Sequence, residues 1–286
     1  MLFRELIENH EIIVAPGAYD VVSAQIIENA GFPMVYIGGL GNEASDLGAP
    51  DLGLTASTEI VRRAGNVAQT VKVPVVCDAD TGFGGVLNVF RTIKMFESAG
   101  VSGVHIEDQT FPKRCGVLRG KKVLPAEEFA KKIRTAVDAR KNRDFVIIAR
   151  TDAKAPLGID EVIKRLNIYV ENGADMAMLG DFYSLDEFKR IVKEIKAPIV
   201  ACAAVQDHFS LQPDISIDEW KKAGVKMVIY WHLPLFAAMR AVTKVVNMLK
   251  DKVTIQQMSE ELFTYKEYEE VLKMSKWLSI DEKCGN

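Results

Sequence analysis

Two aspartates stand two residues apart at the end of an apolar stretch. The stretch from Val73 to Cys77 is rich in β-branched residues, which favours a strand inside a parallel sheet. Because residues i and i+2 of a strand point to the same side, Asp78 and Asp80 are predicted to project into one small volume. Two anions that close repel unless one takes a proton or a cation lies between them. Such an all-oxygen site favours Mg²⁺, with Mn²⁺ as the possible substitute, over Zn²⁺.

Charged residues also close the next two predicted strands. Glu107 and Asp108 follow one apolar stretch, and Arg150 and Asp152 follow another. In a parallel barrel the loops after the strands build the active site, so residues at these ends are functional candidates. One interpretation is a structural ion network. The functional interpretation explains more, because the surplus of acids over arginine leaves negative charge for a divalent cation, and an anionic substrate could then bridge metal and Arg150.

The segment from Gln109 to Leu124 is too polar to pack and contains two glycines. It is predicted to be a mobile basic lid that closes over an anion and excludes water. Cys115 lies beside Lys113 and Arg114, which should depress the pKa of the thiol and make it a nucleophile or a proton donor. An ordinary solvated loop is the alternative that the spacing alone favours.

Eight short apolar stretches alternate with amphipathic helical segments, which predicts an α/β fold of the (β/α)8 TIM-barrel type. The stretches are Ile12–Ala15, Met34–Ile37, Val73–Cys77, Gly103–Ile106, Phe145–Ala149, Met176–Leu179, Ile199–Cys202 and Val228–Tyr230. Ser184 with Glu187, and Ser216 with Glu219, have the spacing of capping boxes at helix starts. A doubly wound open sheet is the alternative, but no Gly-rich dinucleotide turn follows the first stretch.

Composition narrows the domain organisation and the class of partner. A chain of 286 residues with 48% hydrophobic content suits one barrel domain, residues 1–250, followed by a helical extension, residues 251–286. Apolar and aromatic residues in 254–280 predict that the extension packs on the barrel or on a partner subunit. The net charge of −3 without a basic stripe argues against nucleic acid. No apolar run or signal-peptide pattern indicates a membrane or export, so a cytoplasmic protein is expected.

Four motifs of the chain together resemble motifs of the isocitrate lyase and phosphoenolpyruvate mutase superfamily. They are Asp78–Gly84, His105–Gln109, Lys113–Gly116 and Ala149–Ala153. The sequence is most similar to the methylisocitrate lyase and carboxyphosphonoenolpyruvate phosphonomutase branches, and the similarity runs from about Phe3 to Met248. It implies a (β/α)8 barrel whose last helix is swapped between subunits, in dimers that pair into a homotetramer.

The resemblance also implies a set of site residues. Mg²⁺ would be held by Asp78 directly and by Asp80, Glu107 and Asp51 through water. Substrates of the family are small carboxylates, and the side chains with catalytic roles would be Lys113, Cys115 and Arg150. The residues expected to contact the substrate are Tyr36, Gly38, Gly39, Asp51, Arg114, Gly116 and Arg150.

The mechanism implied by the lyases of this family is a retro-aldol cleavage. A base takes the 2-hydroxyl proton, the metal and Arg150 stabilise the forming keto acid, and Cys115 protonates the leaving carbanion. The base is left open between Lys113, Tyr36 and a water on the metal. The products would be pyruvate or glyoxylate and a saturated acid.

Three positions depart from the lyase pattern. Val117 stands where the lid histidine is expected, Gly180 replaces a glutamate after strand six, and Cys202-Ala203-Ala204 replaces an asparagine and a threonine after strand seven. A site without these partners cannot hold a distal carboxylate well, which predicts a smaller or more apolar substrate than methylisocitrate, such as an alkyl-substituted malate. The alternatives are a carbon–phosphorus mutase or phosphonomutase, a hydrolase of oxaloacetate or a phosphonate, and a binding protein without activity.

Overall fold

The chain folds around a closed barrel of eight parallel strands, in which each strand pairs with its neighbours in chain order and the last pairs with the first. The computed structural model describes residues 2–204 and 213–284. The strands are β1 Ile13–Ala18, β2 Val35–Ile37, β3 Val75–Asp78, β4 Gly103–Glu107, β5 Val146–Thr151, β6 Met176–Leu179, β7 Ile199–Cys202 and β8 Met227–Tyr230. The predicted (β/α)8 barrel is confirmed.

Helices surround the barrel and continue beyond it. They are α1 Phe3–Asn9, α2 Val21–Asn29, α3 Gly39–Asn42, α4 Ser57–Thr70, α5 Val86–Ser98, α6 Ala126–Ala139, α7 Lys154–Leu157, α8 Ile159–Glu171, α9 Leu185–Glu194, α10 Ile217–Lys222, α11 Leu233–Lys250, α12 Tyr265–Val271 and α13 Met274–Cys284. A π-helix spans Glu43–Leu47, and a 3₁₀-helix spans Gln256–Glu261. The two predicted capping boxes open α9 and α10.

The apolar residues form two cores, one on each side of the sheet. The strand residues that point outward pack against the buried faces of the helices, as Ile60, Ala64 and Val67 of α4 show. The residues that point inward fill the barrel together with Phe3 and Leu6 of α1. Because a barrel of this size is filled by side chains, the polar groups are confined to the strand ends.

The strands β3, β4 and β5 continue past the carboxyl ends of the predicted apolar stretches, and their added residues include the charged ones. β3 includes Asp78, β4 includes Glu107, and β5 includes Arg150. Asp80 lies beyond β3 in a left-handed turn with φ of 45°. Strand alternation therefore does not explain the direction of the Asp80 side chain, because the turn, and not the pleat of the strand, sets that direction.

The segment after β8 exposes much apolar surface. α11 carries a row of exposed apolar side chains: Leu233, Phe236, Met239, Val242, Val246 and Leu249. The extension beyond residue 250 returns to the barrel in part, since Lys273 Nζ donates to Glu28 of α2 at 3.1 Å. In residues 2–204 and 213–284 every helix is too short or too polar to cross a lipid bilayer. The division into a barrel and an extension at residue 250 stays a prediction.

Candidate active site

A cavity opens at the carboxyl ends of the strands, where the sequence predicts the site. It is lined by Tyr36, Gly38, Gly39, Leu40, Asp51, Asp78, Cys115, Gly116, Val117, Arg150, Met178, Gly180, Asp181, Phe182, Cys202 and Trp231. Of the predicted site residues, Asp80, Glu107 and Lys113 are buried and lie outside this lining. The site therefore has one layer that faces the cavity and a second layer of charges behind it.

Lys113 lies among the acidic side chains. Its Nζ contacts Asp51 Oδ1 and lies 2.9 Å from Asp80 Oδ1. Burial lowers the pKa of this lysine, but the carboxylates of Asp80 and Asp51 outweigh burial and raise the pKa well above its usual value. The ammonium is therefore charged at neutral pH. It supplies part of the positive charge that was expected from a metal and Arg150 alone.

His105 connects the phenol of Tyr36 with the first aspartate. The Tyr36 hydroxyl lies 3.0 Å from His105 Nε2, and His105 Nδ1 lies 3.5 Å from Asp78 Oδ1. Burial lowers the pKa of His105 to about 4, so the imidazole is neutral at physiological pH. Asp78 also accepts hydrogen bonds from the backbone N–H groups of Asp80, at 2.8 Å, and Gly39, at 3.3 Å. The amide of Gly39 is thus already engaged by Asp78.

Arg150 is held by carboxylates on two sides. Its Nε and Nη2 donate to Asp152 at 2.9 and 3.1 Å, and its Nη1 lies 3.1 Å from Glu107 Oε2. Burial would raise the pKa of Asp152, but Arg150 and Lys121 lower it to about 2. Because the guanidinium is fixed in this way, it presents a pre-oriented cation to the cavity.

The buried acids include oxygens that are chemically suited to a divalent cation. Glu107 Oε1 has no hydrogen-bond donor, whereas Glu107 Oε2 and Asp80 Oδ1 each lie beside one cation, Arg150 at 3.1 Å and Lys113 at 2.9 Å. Burial raises the pKa of Asp80 to about 7 and that of Glu107 well above its usual range. Buried carboxylates that resist ionisation are those that a hard cation stabilises.

The arrangement limits how many side chains could touch such an ion. Within residues 2–204 and 213–284, no three His, Cys, Asp or Glu side chains converge closely enough to hold a metal. Lys113 stands between Asp51 and Asp80, where their oxygens approach each other. A metal held here would therefore have at most two of these side chains as direct ligands, and water would complete its coordination.

The lid prediction is partly wrong. Lys113, Cys115 and Lys121 are buried, and the ends of the Gln109–Leu124 segment are joined by a β-bridge between Gln109 and Val123. The segment, called the lid from here on, is packed over the cavity. Its charged residues find partners in the barrel, which is why a polar stretch can be buried.

The thiol of Cys115 faces the cavity, but its environment is the reverse of the predicted one. Burial, followed by the carboxylate of Asp51, raises the pKa of the thiol, whereas neighbouring cations were expected to lower it. The ammonium of Lys113 is neutralised by its own carboxylate partners and compensates little. The backbone N–H of Cys115 donates to the carbonyl of Asp51 at 3.2 Å. The thiol thus keeps its proton, as a proton donor must.

Arg114 and Asp108 do not reach the cavity. The side chain of Arg114 is exposed and donates to the carbonyl of Arg119 at 3.0 Å, and its predicted contact with a substrate stays a prediction. Asp108 is buried and accepts from the Thr151 hydroxyl, at 2.6 Å, and from Arg165, at 3.1 Å. It secures the end of β5, next to Arg150, and takes no part in the cavity lining.

The chain is similar in sequence to characterised proteins along most of its length. The family model of phosphoenolpyruvate phosphomutase matches residues 3–250. The chain belongs to this family. The 2-methylisocitrate lyase of Aeropyrum pernix is 38% identical over 272 residues, which cover 95% of this chain and 86% of that protein. The 2,3-dimethylmalate lyase of Eubacterium barkeri is 37% identical over 278 residues, which cover 97% and 95%.

Solved structures also superpose on nearly the whole chain. Oxaloacetate acetylhydrolase in complex with 3,3-difluorooxalacetate has a TM-score of 0.92 and 34% identity, with 99% of this chain and 96% of that chain covered. Phosphonopyruvate hydrolase in complex with oxalate and Mg²⁺ has a TM-score of 0.89 and 28% identity, with 99% and 98% covered. The resemblance inferred from the four motifs is confirmed.

Most of the places where the chain departs from the lyase pattern contribute to the cavity wall. Val117, Gly180 and Cys202 line it, whereas Ala204 lines a neighbouring cavity. Gly180 is required by its surroundings, because a Cβ there would lie 2.5 Å from Asp152 Oδ2 and 2.6 Å from Arg150 Nε. The Arg150–Asp152 pair thus occupies the space that a side chain at position 180 would need.

Two buried charged residues near the site, Glu43 and Lys121, belong to no motif that sequence reasoning singled out. Glu43 is fully buried and accepts hydrogen bonds from the backbone N–H groups of Leu52 and Leu54, at 2.8 and 2.7 Å, which fixes the loop that presents Asp51. Lys121 is buried between Asp152 and Asp181. The only signal for either residue is a charge in a segment otherwise read as loop, and such charges are normally solvated.

Proposed function

We propose that the chain is a divalent-metal-dependent carbon–carbon lyase that cleaves an alkyl-substituted malate, such as 2,3-dimethylmalate, to pyruvate and a saturated acid. The observation that carries this proposal is the composition of the cavity. Among the described residues that line it, Arg150 is the only cation, and much of the remaining wall is apolar: Leu40, Val117, Met178, Phe182 and Trp231. The name of the 2,3-dimethylmalate lyase relative supports the same substrate class.

The charges favour a dicarboxylate over a tricarboxylate. One carboxylate can pair with Arg150, and a second can be offset by the metal that the acids would hold. A third, as in methylisocitrate, would meet Val117 and Phe182 and lose its hydration without gaining a partner. Alkyl groups on the substrate instead gain from leaving water against this wall.

The cleavage uses a small number of groups of this chain. The 2-hydroxyl loses its proton, the C2–C3 bond breaks, and C2 becomes the carbonyl carbon of pyruvate. The electron pair of that bond passes to C3 and is delocalised into the adjacent carboxylate. The Cys115 thiol then donates its proton to C3, and the proton taken from the 2-hydroxyl restores the thiol.

The acceptor of the 2-hydroxyl proton is better placed at Tyr36 or at solvent than at Lys113. The lysine is paired with two carboxylates and has no lone pair in its charged state. Tyr36 lines the cavity, and burial raises the pKa of its phenol well above the usual value, so the hydroxyl is protonated. It can take the substrate proton only by passing its own proton to Nε2 of the neutral His105, 3.0 Å away. Arg150 holds the carboxylate next to C2, so the bond that breaks is kept in one orientation.

Asp78, with Asp80, Glu107 and Asp51 acting through water, would hold the metal. When bound, a divalent cation polarises the oxygens of the 2-hydroxy acid and offsets the charge that develops as the C2–C3 bond breaks. Support comes from the buried carboxylates of Asp80 and Glu107, whose pKa values are raised by burial, and from the Mg²⁺ named in the phosphonopyruvate hydrolase complex. Mn²⁺ has the same preference for oxygen ligands.

A substrate screen followed by NMR tests the function. The protein with Mg²⁺ is incubated separately with 2,3-dimethylmalate, methylisocitrate, oxaloacetate and phosphonopyruvate. The proposal expects pyruvate and propanoate from 2,3-dimethylmalate and negligible turnover of methylisocitrate. Efficient cleavage of methylisocitrate, release of oxalate and acetate from oxaloacetate, or carbon–phosphorus chemistry on phosphonopyruvate would each replace it with a different activity.

We also propose that the chain assembles as a homotetramer of helix-swapped dimers. The exposed apolar row on α11, described above, is too extensive for a helix that faces water alone. A partner that covers it would bury this row, as a swapped last helix does. Light scattering coupled to size exclusion should give about four times 31.7 kDa, and a species at the monomer mass would contradict the assembly.

A further inference from the structure

Lys121 is buried although it lies on the lid, and its ammonium is fully used. Its side chain is 1% exposed. Nζ donates to the carbonyl of Gly116 at 2.8 Å, to Asp152 Oδ1 at 3.1 Å and to Asp181 Oδ1 at 2.5 Å. Lysine is rarely buried unless it is paired, and an ammonium has three protons to donate. All three are directed at neighbours from different parts of the fold.

The two carboxylates belong to different strand ends. Asp152 follows β5 and also holds Arg150, whereas Asp181 follows β6 and accepts from the backbone N–H of Lys154 at 3.1 Å. Lys121 thus pairs with Asp152 and Asp181, while Arg150 pairs with Asp152 and Glu107. Removing one member leaves a buried charge without compensation, which is far costlier than losing a surface pair.

The carbonyl that Lys121 binds is close to the reacting end of the lid. Gly116 directly follows Cys115, and a Cβ at Gly116 would lie 2.5 Å from the carbonyl oxygen of Gly180. The lid therefore approaches β6 by backbone contact at this point. The contact from Lys121 to Gly116 fixes the chain at the residue after the thiol.

We propose that Lys121 and Asp181 are positioning residues that hold the lid, and with it the Cys115 thiol, against the carboxyl ends of β5 and β6. Neither residue needs to touch the substrate. The importance of this for turnover rests on the proposed role of Cys115 as proton donor, but the positioning itself is a property of the fold. Asp181 is part of the departure at strand six, so the contact uses a residue that replaces the usual pattern of the lyases.

The test measures how fast iodoacetamide alkylates Cys115 in the full-length protein, with each cysteine followed by peptide mass spectrometry. The variants are Lys121→Met and Asp181→Asn. Lys122→Met is the matched control, because Lys122 is the next lysine on the lid, is exposed and makes no ion pair within the described residues. Cys284, which is exposed, is the internal reference for reagent and pH.

Both test variants should alkylate Cys115 at least about tenfold faster than wild type, because an uncompensated buried charge drives the lid open. The rates at Cys284, and at Cys115 in Lys122→Met, should be unchanged. An unchanged Cys115 rate in Lys121→Met and Asp181→Asn would overturn the proposal. Equal acceleration at the buried Cys77 would overturn it as well, since that result shows general loosening of the barrel.

The alkylation test and the test of the proposed function can fail independently of each other. If wild-type protein fails to cleave 2,3-dimethylmalate but the alkylation rates behave as expected, the positioning role stands and the substrate assignment fails. If the protein cleaves 2,3-dimethylmalate and the alkylation rates do not change, the function stands and the positioning role fails.

Discussion

Replacing Gly180 with alanine should weaken binding of a substrate carboxylate while leaving the barrel folded. The added Cβ would lie 2.5 Å from Asp152 Oδ2 and 2.6 Å from Arg150 Nε, which is closer than such atoms can approach. The Arg150–Asp152 pair must therefore shift. Overpacking a close-packed site costs roughly 1–3 kcal/mol. Oxalate binding must return Arg150 to its wild-type position against this overpacking, and at 1.4 kcal/mol for each factor of ten a cost paid wholly on binding lowers affinity about 5- to 150-fold.

The assay is calorimetric titration of oxalate into the protein with Mg²⁺, since oxalate resembles the planar keto-acid end of the product. Gly85→Ala is the matched control, because no described atom lies within 4 Å of a Cβ at Gly85. The control should bind oxalate as wild type does. Wild-type affinity in Gly180→Ala would refute the reasoning that Arg150, in this position, receives the carboxylate. Thermal unfolding of both variants shows whether a loss is local.

Four further outcomes are expected. Cys115→Ser should lower the rate of pyruvate release by about a hundredfold or more with little change in KM, because serine is a much weaker acid than the thiol; retention of most activity in steady-state assays would favour a mutase. A chelator should abolish turnover and added Mg²⁺ should restore it, and activity that persists in excess chelator would remove the metal from the mechanism. Val117→His should raise the ratio of methylisocitrate to 2,3-dimethylmalate turnover by about tenfold or more, because it returns a polar partner for the distal carboxylate; no change in the ratio of kcat/KM values would contradict the apolar-wall argument. Glu43→Gln should lower the free energy of unfolding by about 1–3 kcal/mol in urea titrations, because a backbone N–H of the 52–55 loop would lose its acceptor; an unchanged transition midpoint would mean that the loop is held by other contacts.

The barrel and the polar strand ends could be predicted because their signals lie in residues that are neighbours in the sequence. Apolar stretches followed by Asp78, Glu107 and Arg150 indicate both where a strand lies and which of its ends is polar. The bounds were too short for β3, β4 and β5, since a barrel tolerates polar side chains at its mouth and an apolar-run rule stops before them. The left-handed turn that directs Asp80 could not be predicted, because it leaves no trace in a pattern of period two.

The environment of the lid could not be predicted because its partners are distant in sequence. The pKa of the Cys115 thiol was expected to fall from the presence of Lys113 and Arg114 beside it. In the fold, Lys113 is paired with Asp51 and Asp80, and Arg114 points to solvent. Burial then dominates and raises the pKa of the thiol. The sequence shows which charged residues lie near Cys115 along the chain. Only the fold shows which of these charges are already paired.

The ammonium of Lys113 between two aspartates bears on how the protein tolerates changes in metal supply. Buried carboxylates crowded without a counter-charge would repel and push the strand ends apart. Since this chain brings its own cation to Asp51 and Asp80, these carboxylates are compensated without a metal. We therefore expect the barrel to stay folded when the proposed metal is removed, and activity to recover at the pace of ion entry and not of refolding.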